Sequence, residues 1–255
     1  MFQRTVPVSF RNEVAGGIFV LRFRSREIAS SAVAGQFVNI RCGDGCLPLL
    51  RRPMSISRIV GDEVELLFNV VGQGTRMLAA KHLGDTLDVL GPLGMPFGYR
   101  GDYSTAVIVA GGVGVAPFPF LTTLLAREGK QIVTFLGART AAQLTPQNLE
   151  NVLLATDDGT EGHHGTVVDM LEAYLSRRKL LQPKIFGCGP TNMLKALTAF
   201  AKTAGIDCEL SLEGDMACGL GLCQGCPIER TNGTKKYALV CVEGPTFNSK
   251  DIILP

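Results

Sequence analysis

Residues 106–117 run Ala106-Val107-Ile108-Val109-Ala110-Gly111-Gly112-Val113-Gly114-Val115-Ala116-Pro117. A short apolar run that ends at glycine is the pattern of a buried strand, and the apolar stretch beyond predicts a helix over 116–127. A strand that turns through glycine into a helix brings backbone amides and a positive helix end to where a phosphate would sit. The spacing departs from G-x-G-x-x-G because Pro117 stands in place of the third glycine, so a plain strand–helix turn is the competing reading. A second turn of this kind, Phe186-Gly187-Cys188-Gly189-Pro190, links a strand over 183–186 to an amphipathic helix over 191–203, with Met193 on its first turn. Further strands are expected at 131–136, 151–155 and 206–210. Strands alternating with helices imply a parallel sheet with helices on its faces, and glycine turns at the carboxyl ends of two strands would face one crevice. Gly111, Gly112, Gly114, Gly187, Cys188, Gly189 and Pro190 are therefore candidate dinucleotide contacts. For Cys188 the alternative is a buried thiol, the commoner fate of a free cysteine.

Toward the amino terminus the pattern changes. Short runs such as Ile18-Phe19-Val20-Leu21, Phe37-Val38-Asn39-Ile40 and Val64-Glu65-Leu66-Leu67-Phe68 are separated by Gly, Pro, Asn and Asp, which suggests a small barrel or sandwich. The Gly91-Pro92-Leu93-Gly94 turn and Pro96 close this region. Within it, Arg51-Arg52-Pro53-Met54-Ser55 joins two strand candidates and Gly72-Gln73-Gly74-Thr75 opens a helix. A guanidinium and a glycine–threonine helix start both suit a pyrophosphate. The alternative for each is a surface basic pair and an ordinary capped helix.

Toward the carboxyl terminus the signal is cysteine. Of eight cysteines, Cys42, Cys46, Cys188 and Cys208 are scattered, whereas Cys218, Cys223, Cys226 and Cys241 crowd the final stretch as C-x4-C-x2-C-x14-C. That is the plant-type spacing for a [2Fe–2S] cluster. Gly219, Gly221 and Gly225 lie in the tight loop, where the lack of a Cβ lets the backbone fold around an inorganic core. Tetrahedral zinc is the competing reading, but zinc ribbons pair their cysteines as two short knuckles and only one compact group exists here. Residues 213–255 have too little hydrophobic periodicity to build a core and need such a staple.

The bulk properties set limits. A chain of 255 residues with 46% hydrophobic content and a net charge of +2 can bury a sizeable core, and gives no electrostatic support for binding nucleic acid or an acidic membrane. No apolar run approaches the roughly 18 residues of a membrane helix, and residues 1–7 lack the apolar stretch of a signal peptide. The chain reads as soluble and cytoplasmic, with no membrane insertion. Its boundaries are expected at 1–100, 101–212 and 213–255, a multidomain β + α/β arrangement: an antiparallel β-barrel, a Rossmann-like parallel α/β domain and a small C-terminal [2Fe–2S] domain.

Together these pieces resemble the ferredoxin-NADP reductase superfamily, in which a flavin-binding barrel precedes a nicotinamide-binding domain. Arg52-Pro53-Met54-Ser55 is similar to its R-x-Y-S flavin motif with Met54 replacing the aromatic residue, and Gly112-Val113-Gly114-Val115-Ala116-Pro117 and Cys188-Gly189-Pro190 to its two nicotinamide-side motifs. A closer resemblance is to the electron-transfer subunits of type B dihydroorotate dehydrogenases. Arg51-Arg52-Pro53-Met54-Ser55-Ile56, Gly91-Pro92-Leu93-Gly94, Thr156-Asp157-Asp158-Gly159, Met216-Ala217-Cys218-Gly219 and Cys241-Val242-Glu243-Gly244-Pro245-Thr246-Phe247 carry it over nearly the whole chain.

This resemblance implies FAD, a [2Fe–2S] cluster and NAD, with NADP as the alternative nicotinamide. It also implies an FMN-containing catalytic subunit as partner, in a heterotetramer of two catalytic and two electron-transfer subunits. Arg52, Pro53, Met54 and Ser55 would hold the flavin phosphate and ring edge, with Ser55 near N5. Asn69, Val70 and Val71 would line the adenine or isoalloxazine, Gly74 and Thr75 would meet the pyrophosphate, and Cys188 would face the nicotinamide. Cys218, Cys223, Cys226 and Cys241 would ligate the cluster. After Glu213 the family carries an acidic and then a basic residue, where this chain has Gly214-Asp215. Nicotinamides exchange two electrons at once and clusters one, and flavin handles both regimes, so the implied function is electron transfer from the FMN subunit to NAD+ in pyrimidine biosynthesis. A ferredoxin- or sulfide-linked NAD(P)H flavin reductase, a redox sensor and a zinc-stapled nucleotide module are the alternatives. Arg139 is either a contact for a 2′-phosphate or a solvent-facing residue, Asp157-Asp158-Gly159 reads as loop, and His82, His163 and His164 receive no role.

Overall fold

Six strands close an antiparallel barrel: β1 (Phe2–Ala15), β2 (Ile18–Arg24), β3 (Phe37–Arg41), β4 (Arg52–Val60), β5 (Glu63–Asn69) and β6 (Thr86–Leu93), in the order β1-β2-β5-β4-β3-β6. The computed structural model describes residues 1–255 apart from Asp44, Cys46 and Thr234, so Cys46 of the scattered cysteines lies outside the described residues. The length of β1 decides between barrel and sandwich. Its first half pairs with β6, from Phe2↔Gly91 to Pro7↔Thr86, and its second half pairs with β2, ending at Ala15↔Ile18. One strand shared between two neighbours leaves the barrel without an open edge. Alternation points Leu87 and Val89 of β6 inward, where they join Leu21, Phe23, Ile40, Ile56 and Leu66, while Leu93 at its end packs with Phe37 in the second apolar cluster. Short helices α1 (Arg26–Ser31) and α2 (Gln73–Ala79) occupy the β2–β3 and β5–β6 connections.

Beyond the barrel come β7 (Thr105–Gly111), α3 (Phe118–Arg127), β8 (Gln131–Ala138), β9 (Val152–Thr156), β10 (His163–His164), α4 (Val167–Arg177), β11 (Pro183–Cys188), α5 (Thr191–Ala204) and β12 (Asp207–Ser211). The chain then forms β13 (Pro227–Arg230), β14 (Tyr237–Leu239), β15 (Thr246–Asn248) and β16 (Ile252–Ile253). The large sheet runs β10-β9-β8-β7-β11-β12-β15, parallel except for β15 at its edge, while β14-β13-β16 make a small separate sheet. β7 is buried along its whole length, as a strand covered on both faces must be. The helix expected from 116 starts at Phe118, after a 3₁₀ turn over Gly112–Val115. Pro117 sits at its entry, a place where a missing N–H costs no intrahelical bond.

Two joints hold these parts together. Phe97, 2% exposed, stacks on Phe118 of α3 at 5.9 Å and meets Phe186 of β11 edge-on at 5.6 Å. It therefore locks the barrel's exit onto the parallel sheet. At the other end, Met95 N–H donates to the Gly244 carbonyl at 2.6 Å, Leu212 N–H to the Pro245 carbonyl at 2.9 Å, and the Thr246 hydroxyl to the Pro96 carbonyl at 2.8 Å. The last segment thus lends a strand to the parallel sheet, and its Cys226, Ile228, Val240 and Cys241 share an apolar cluster with Leu194 and Leu197 of α5. Among the described residues no helix is long and apolar enough to cross a membrane.

Truncating Phe97 removes an aromatic side chain from a contact between three elements. Phe97→Ala is expected to lower stability by about 3–5 kcal/mol, read as a shift of the denaturant midpoint of the full chain.

Candidate functional site

The order of the parallel sheet reverses between β7 and β11: β8 and β9 extend to one side, and β12 to the other. Ligands of open α/β sheets lie outside the carboxyl ends of the strands at such a reversal. Both glycine turns are there, one after each strand. They touch: a Cβ at Gly114 would fall 2.5 Å from the Cys188 carbonyl oxygen and 2.7 Å from Gly189 Cα. Only glycine permits that approach.

Two clefts open on this crossing. The first, of about 320 Å³, lies between barrel and sheet and is lined by Arg52, Pro53, Met54 and Ser55 of β4, Asn69, Val71 and Thr75, with Cys188, Glu213 and Pro245 on the far wall. The second, of about 610 Å³, is lined by Gly111, Gly112, Gly114, Gly189, Pro190 and Met193. Arg139 and Asp157, at the ends of β8 and β9, also line it. Asn69, Val113 and Glu213 belong to both walls.

Two of the expected contacts, Val70 and Gly187, line neither cleft, and a third, Thr75, has its hydroxyl engaged locally. Val70 packs against the barrel core and donates its N–H to the Gly17 carbonyl at 2.8 Å. Gly187 lies beneath Leu197 and Leu210, so its lack of a side chain serves helix packing. The Thr75 hydroxyl lines the first cleft but is occupied locally: it accepts from Val71 N–H at 3.0 Å and Gly72 N–H at 3.1 Å and donates to the Gly72 carbonyl. Arg52 and Gly74 do meet, the arginine Nε lying 2.9 Å from where a Gly74 Cβ would be. A guanidinium laid across the first turn of α2, whose opening amides have no intrahelical acceptor, fits a pyrophosphate.

In the cysteine loop the thiols pair two by two. Cys218 Sγ accepts Leu220 N–H at 3.3 Å and Cys223 N–H at 3.4 Å. The amides of Cys223 and Leu220, with the Cys223 thiol, pull its thiol down to about 6. Cys241 is buried against the Cys226 thiol, and that burial, then that thiol, pushes it up to about 12. A two-iron centre asks for two thiolates on each iron, a single tetrahedral ion for four around one point. Pairing as 218/223 and 226/241, with amides aimed at sulfur, fits the former. Behind the loop the Glu243 carboxylate accepts Leu239 N–H at 2.8 Å and an Arg230 guanidinium N–H at 2.5 Å, building the turn after Cys241.

Glu213 is the residue that sequence reasoning did not place. It lines both clefts and a third one, of about 320 Å³, that reaches Cys226 and the second glycine turn. Its position between β12 and the cysteine loop, two residues past Ser211, is the only signal the sequence offers. Glu213 is exposed as a residue, but protein atoms around its carboxyl raise its pKa above the ordinary glutamate value. Burial, then the charge of Glu213, likewise raises the Cys188 thiol far above the usual cysteine range, against a hydrogen bond with Ser211. Both groups therefore hold their protons more tightly than in solution.

A barrel cleft set against a switch-point cleft is the arrangement of flavin reductases that exchange electrons with nicotinamides, here extended by an iron–sulfur loop. Residues 213–253 match the iron–sulfur cluster binding domain of dihydroorotate dehydrogenase B. The chain is 36% identical to the dihydroorotate dehydrogenase B (NAD(+)) electron transfer subunit of Desulforamulus reducens, over 94% of each chain. It is 34% identical to that of Bacillus velezensis, over 98% of each. The solved structure of an NADH-dependent reduced ferredoxin-NADP oxidoreductase matches 98% of this chain and 90% of its own, with a TM-score of 0.88 and 28% identity. A ferredoxin reductase of carbazole 1,9a-dioxygenase shares the fold at a TM-score of 0.70 and 21% identity, over 80% of this chain and 66% of its own. The chain belongs to the family of dihydroorotate dehydrogenase B (NAD(+)) electron transfer subunits.

A carboxyl whose folded pKa is raised favours folding below its unfolded pKa and loses that contribution as pH rises through the folded value. Glu213→Gln is therefore expected to melt above wild type at neutral pH, the gap closing as pH falls below about 4, the ordinary glutamate value. Calorimetry of the cofactor-free chain across that range checks it.

Proposed function

We propose that the chain is the electron-transfer subunit of an NAD-dependent dihydroorotate dehydrogenase, linking an FMN-containing catalytic subunit to NAD+ through a [2Fe–2S] cluster and FAD. The observation that carries this reading is the meeting of both clefts and the cysteine loop at one crossing, with Glu213 on the wall of each cleft. When bound, FAD supplies the conversion between the two-electron chemistry of a nicotinamide and the one-electron chemistry of a cluster.

The side chains have separable roles in this reading. Arg52 receives the pyrophosphate, with the first-turn amides of α2 beside it. Met54, Phe37 and Leu67 exclude water from the first cleft, and Ser55, paired with Phe37 across β3 and β4, presents its hydroxyl to the flavin edge. Gly111, Gly112, Gly114, Gly189 and Pro190 give the nicotinamide nucleotide a wall without protruding side chains. Cys188 closes the space between the two ligands as a neutral thiol. Asp157 in the second cleft opposes a 2′-phosphate and favours NAD, while Arg139 beside it offsets that repulsion only in part. Cys218 and Cys223 would hold one iron, and Cys226 and Cys241 the other. Residues 1–100, 101–212 and 213–255 are the corresponding functional modules. Dihydroorotate chemistry takes place in the partner, so this chain requires no acid–base residue for it. We place the complex, as two subunits of each kind, in the cytoplasm, where unpaired cysteines of this kind persist.

Co-expression with an FMN-containing catalytic subunit tests the assignment. NADH is expected to reduce the flavin of the isolated chain faster than NADPH does, and dihydroorotate to reduce NAD+ only when both subunits are present. Preparations lacking FAD, iron and sulfide, or dihydroorotate turnover by the chain alone, would refute it. The likeness to the NADH-dependent reduced ferredoxin-NADP oxidoreductase favours a second reading, a ferredoxin-linked reductase. Co-purification with a flavoprotein inactive on dihydroorotate would support that instead. Loss of a charge-assisted hydrogen bond costs about 1.5–3 kcal/mol. Arg52→Ala is accordingly expected to weaken FAD binding by roughly tenfold to a hundredfold, measured by flavin fluorescence titration.

A further inference from the structure

Four consecutive residues of β3, Phe37 to Ile40, are buried, and Asn39 is their polar exception at 1% exposed. Its Nδ2 donates to the carbonyl of Cys218 at 3.1 Å. Its Oδ1, equally enclosed, has no hydrogen-bond partner among the described residues. Turning the amide over would not help, because it would set oxygen against the Cys218 carbonyl. A leucine would fill this place in the barrel wall without an orphaned acceptor, so stability of the barrel does not account for the asparagine.

The loop side of the contact is equally specific. Gly219 has φ +71°, and a Cβ there would fall 2.5 Å from Asn39 Nδ2. On the barrel side Asn39 pairs with Pro53 of the flavin motif. An Arg51 guanidinium, anchored on Asp88, donates to the Asn39 carbonyl at 3.4 Å. Two residues earlier, Phe37 lines the flavin cleft. One hydrogen bond thus separates the strand that faces the flavin from the first ligand of the cysteine loop.

We propose that Asn39 is a positioning residue for the iron–sulfur centre: it pins the Cys218 peptide to the flavin-side strand and so holds Cys218 Sγ under the N–H groups of Leu220 and Cys223. The proposal rests on the two-iron reading of the cysteine loop. N–H donors to a ligand sulfur withdraw charge from it and raise the reduction potential, and partners outside the ligand shell also govern how tightly the metal is kept. A freed Cys218 peptide loosens both effects.

The test uses the full chain purified anaerobically with FAD, iron and sulfide, as wild type, Asn39→Leu and Gly219→Ala. Both variants are expected to keep FAD and a cooperative melt. Both should release iron to a chelator roughly tenfold to a hundredfold faster than wild type. In an EPR-monitored titration the cluster potential should move downward and its signal change shape, while the flavin potential in the same sample stays in place. Variants that fold, hold FAD and match wild type in iron release, EPR signal and potential overturn the proposal. If Asn39→Leu does not fold, Gly219→Ala alone decides by the same readings. If neither folds, the contact is structural and the proposal is overturned too. Wild type without iron and sulfide sinks the two-iron reading itself, which is a different result.

Discussion

The close contact of two backbone turns, Gly114 against Cys188 and Gly189, constrains everything built around it. β7 and β11 are neighbours in the sheet, so the turns leaving them must pass within van der Waals distance. A side chain at position 114 would force them apart and tilt β11 away from the barrel. Because they do pass, the Cys188 side chain is carried onto the wall of the barrel cleft while Gly189 and Pro190 stay on the wall of the second one. Ligands in the two adjacent clefts would then meet at a common boundary set by backbone geometry, before any side chain selects them.

The other end of the assembly is held by chain connectivity. The segment after Cys241 returns to the junction of barrel and sheet, hydrogen-bonds to Met95, Pro96 and Leu212, and adds β15 to the sheet edge. A cysteine loop on a flexible tether would sit at variable distance from the flavin cleft. Here it is clamped by Asn39 at its start and by residues 244–246 just after its last cysteine. The tight joint is supported nearby by Lys184, whose ammonium donates to Glu209 at 2.7 Å and to the Gly98 carbonyl at 2.8 Å while Gly98 N–H donates back to the same carboxylate. Removing one partner of such a nearly enclosed pair would leave the other charge stranded.

How much of this was legible in the sequence depended on whether the signal was local. The β7 run and both glycine turns announce strand, turn and helix within a dozen residues, and the cysteine spacing is itself a geometric statement. The barrel was ambiguous with a sandwich because closure depends on β1 pairing with two partners far apart in sequence. Helix α4 went unread even though Thr166 and Asp169 form a reciprocal capping box at its start. Val70 and Gly187 enter the expected set by adjacency to other candidates, but Val70 packs on the barrel core just past β5 and Gly187 lies beneath Leu197 and Leu210. Glu213 and Asn39 gave no motif at all. Each acquires its role from where three elements meet, which no window along the chain displays.

The cysteines show the same physics deciding opposite outcomes for one residue type. Cys42, Cys188 and Cys208 are buried among apolar neighbours, and desolvation of the charged form raises all three thiols. Cys218 is near the surface under two backbone amides, which stabilise its thiolate instead. A thiolate is what a metal takes and a thiol is what a dry cleft tolerates. Within the loop the cysteines differ as well: Cys218 lies under the amides of Leu220 and Cys223, whereas Cys226 and Cys241 are buried. Metal takes thiolates, so loading iron couples to proton release from the ligand thiols, with Cys241, whose pKa burial raises, among them. Burial of 226 and 241 in the cluster shared with α5 then gives the loop a fixed, dry side, and the amide-rich side stays toward Cys223 and solvent. One face is specified by packing and the other by backbone donors, a division that four cysteines in sequence order do not reveal.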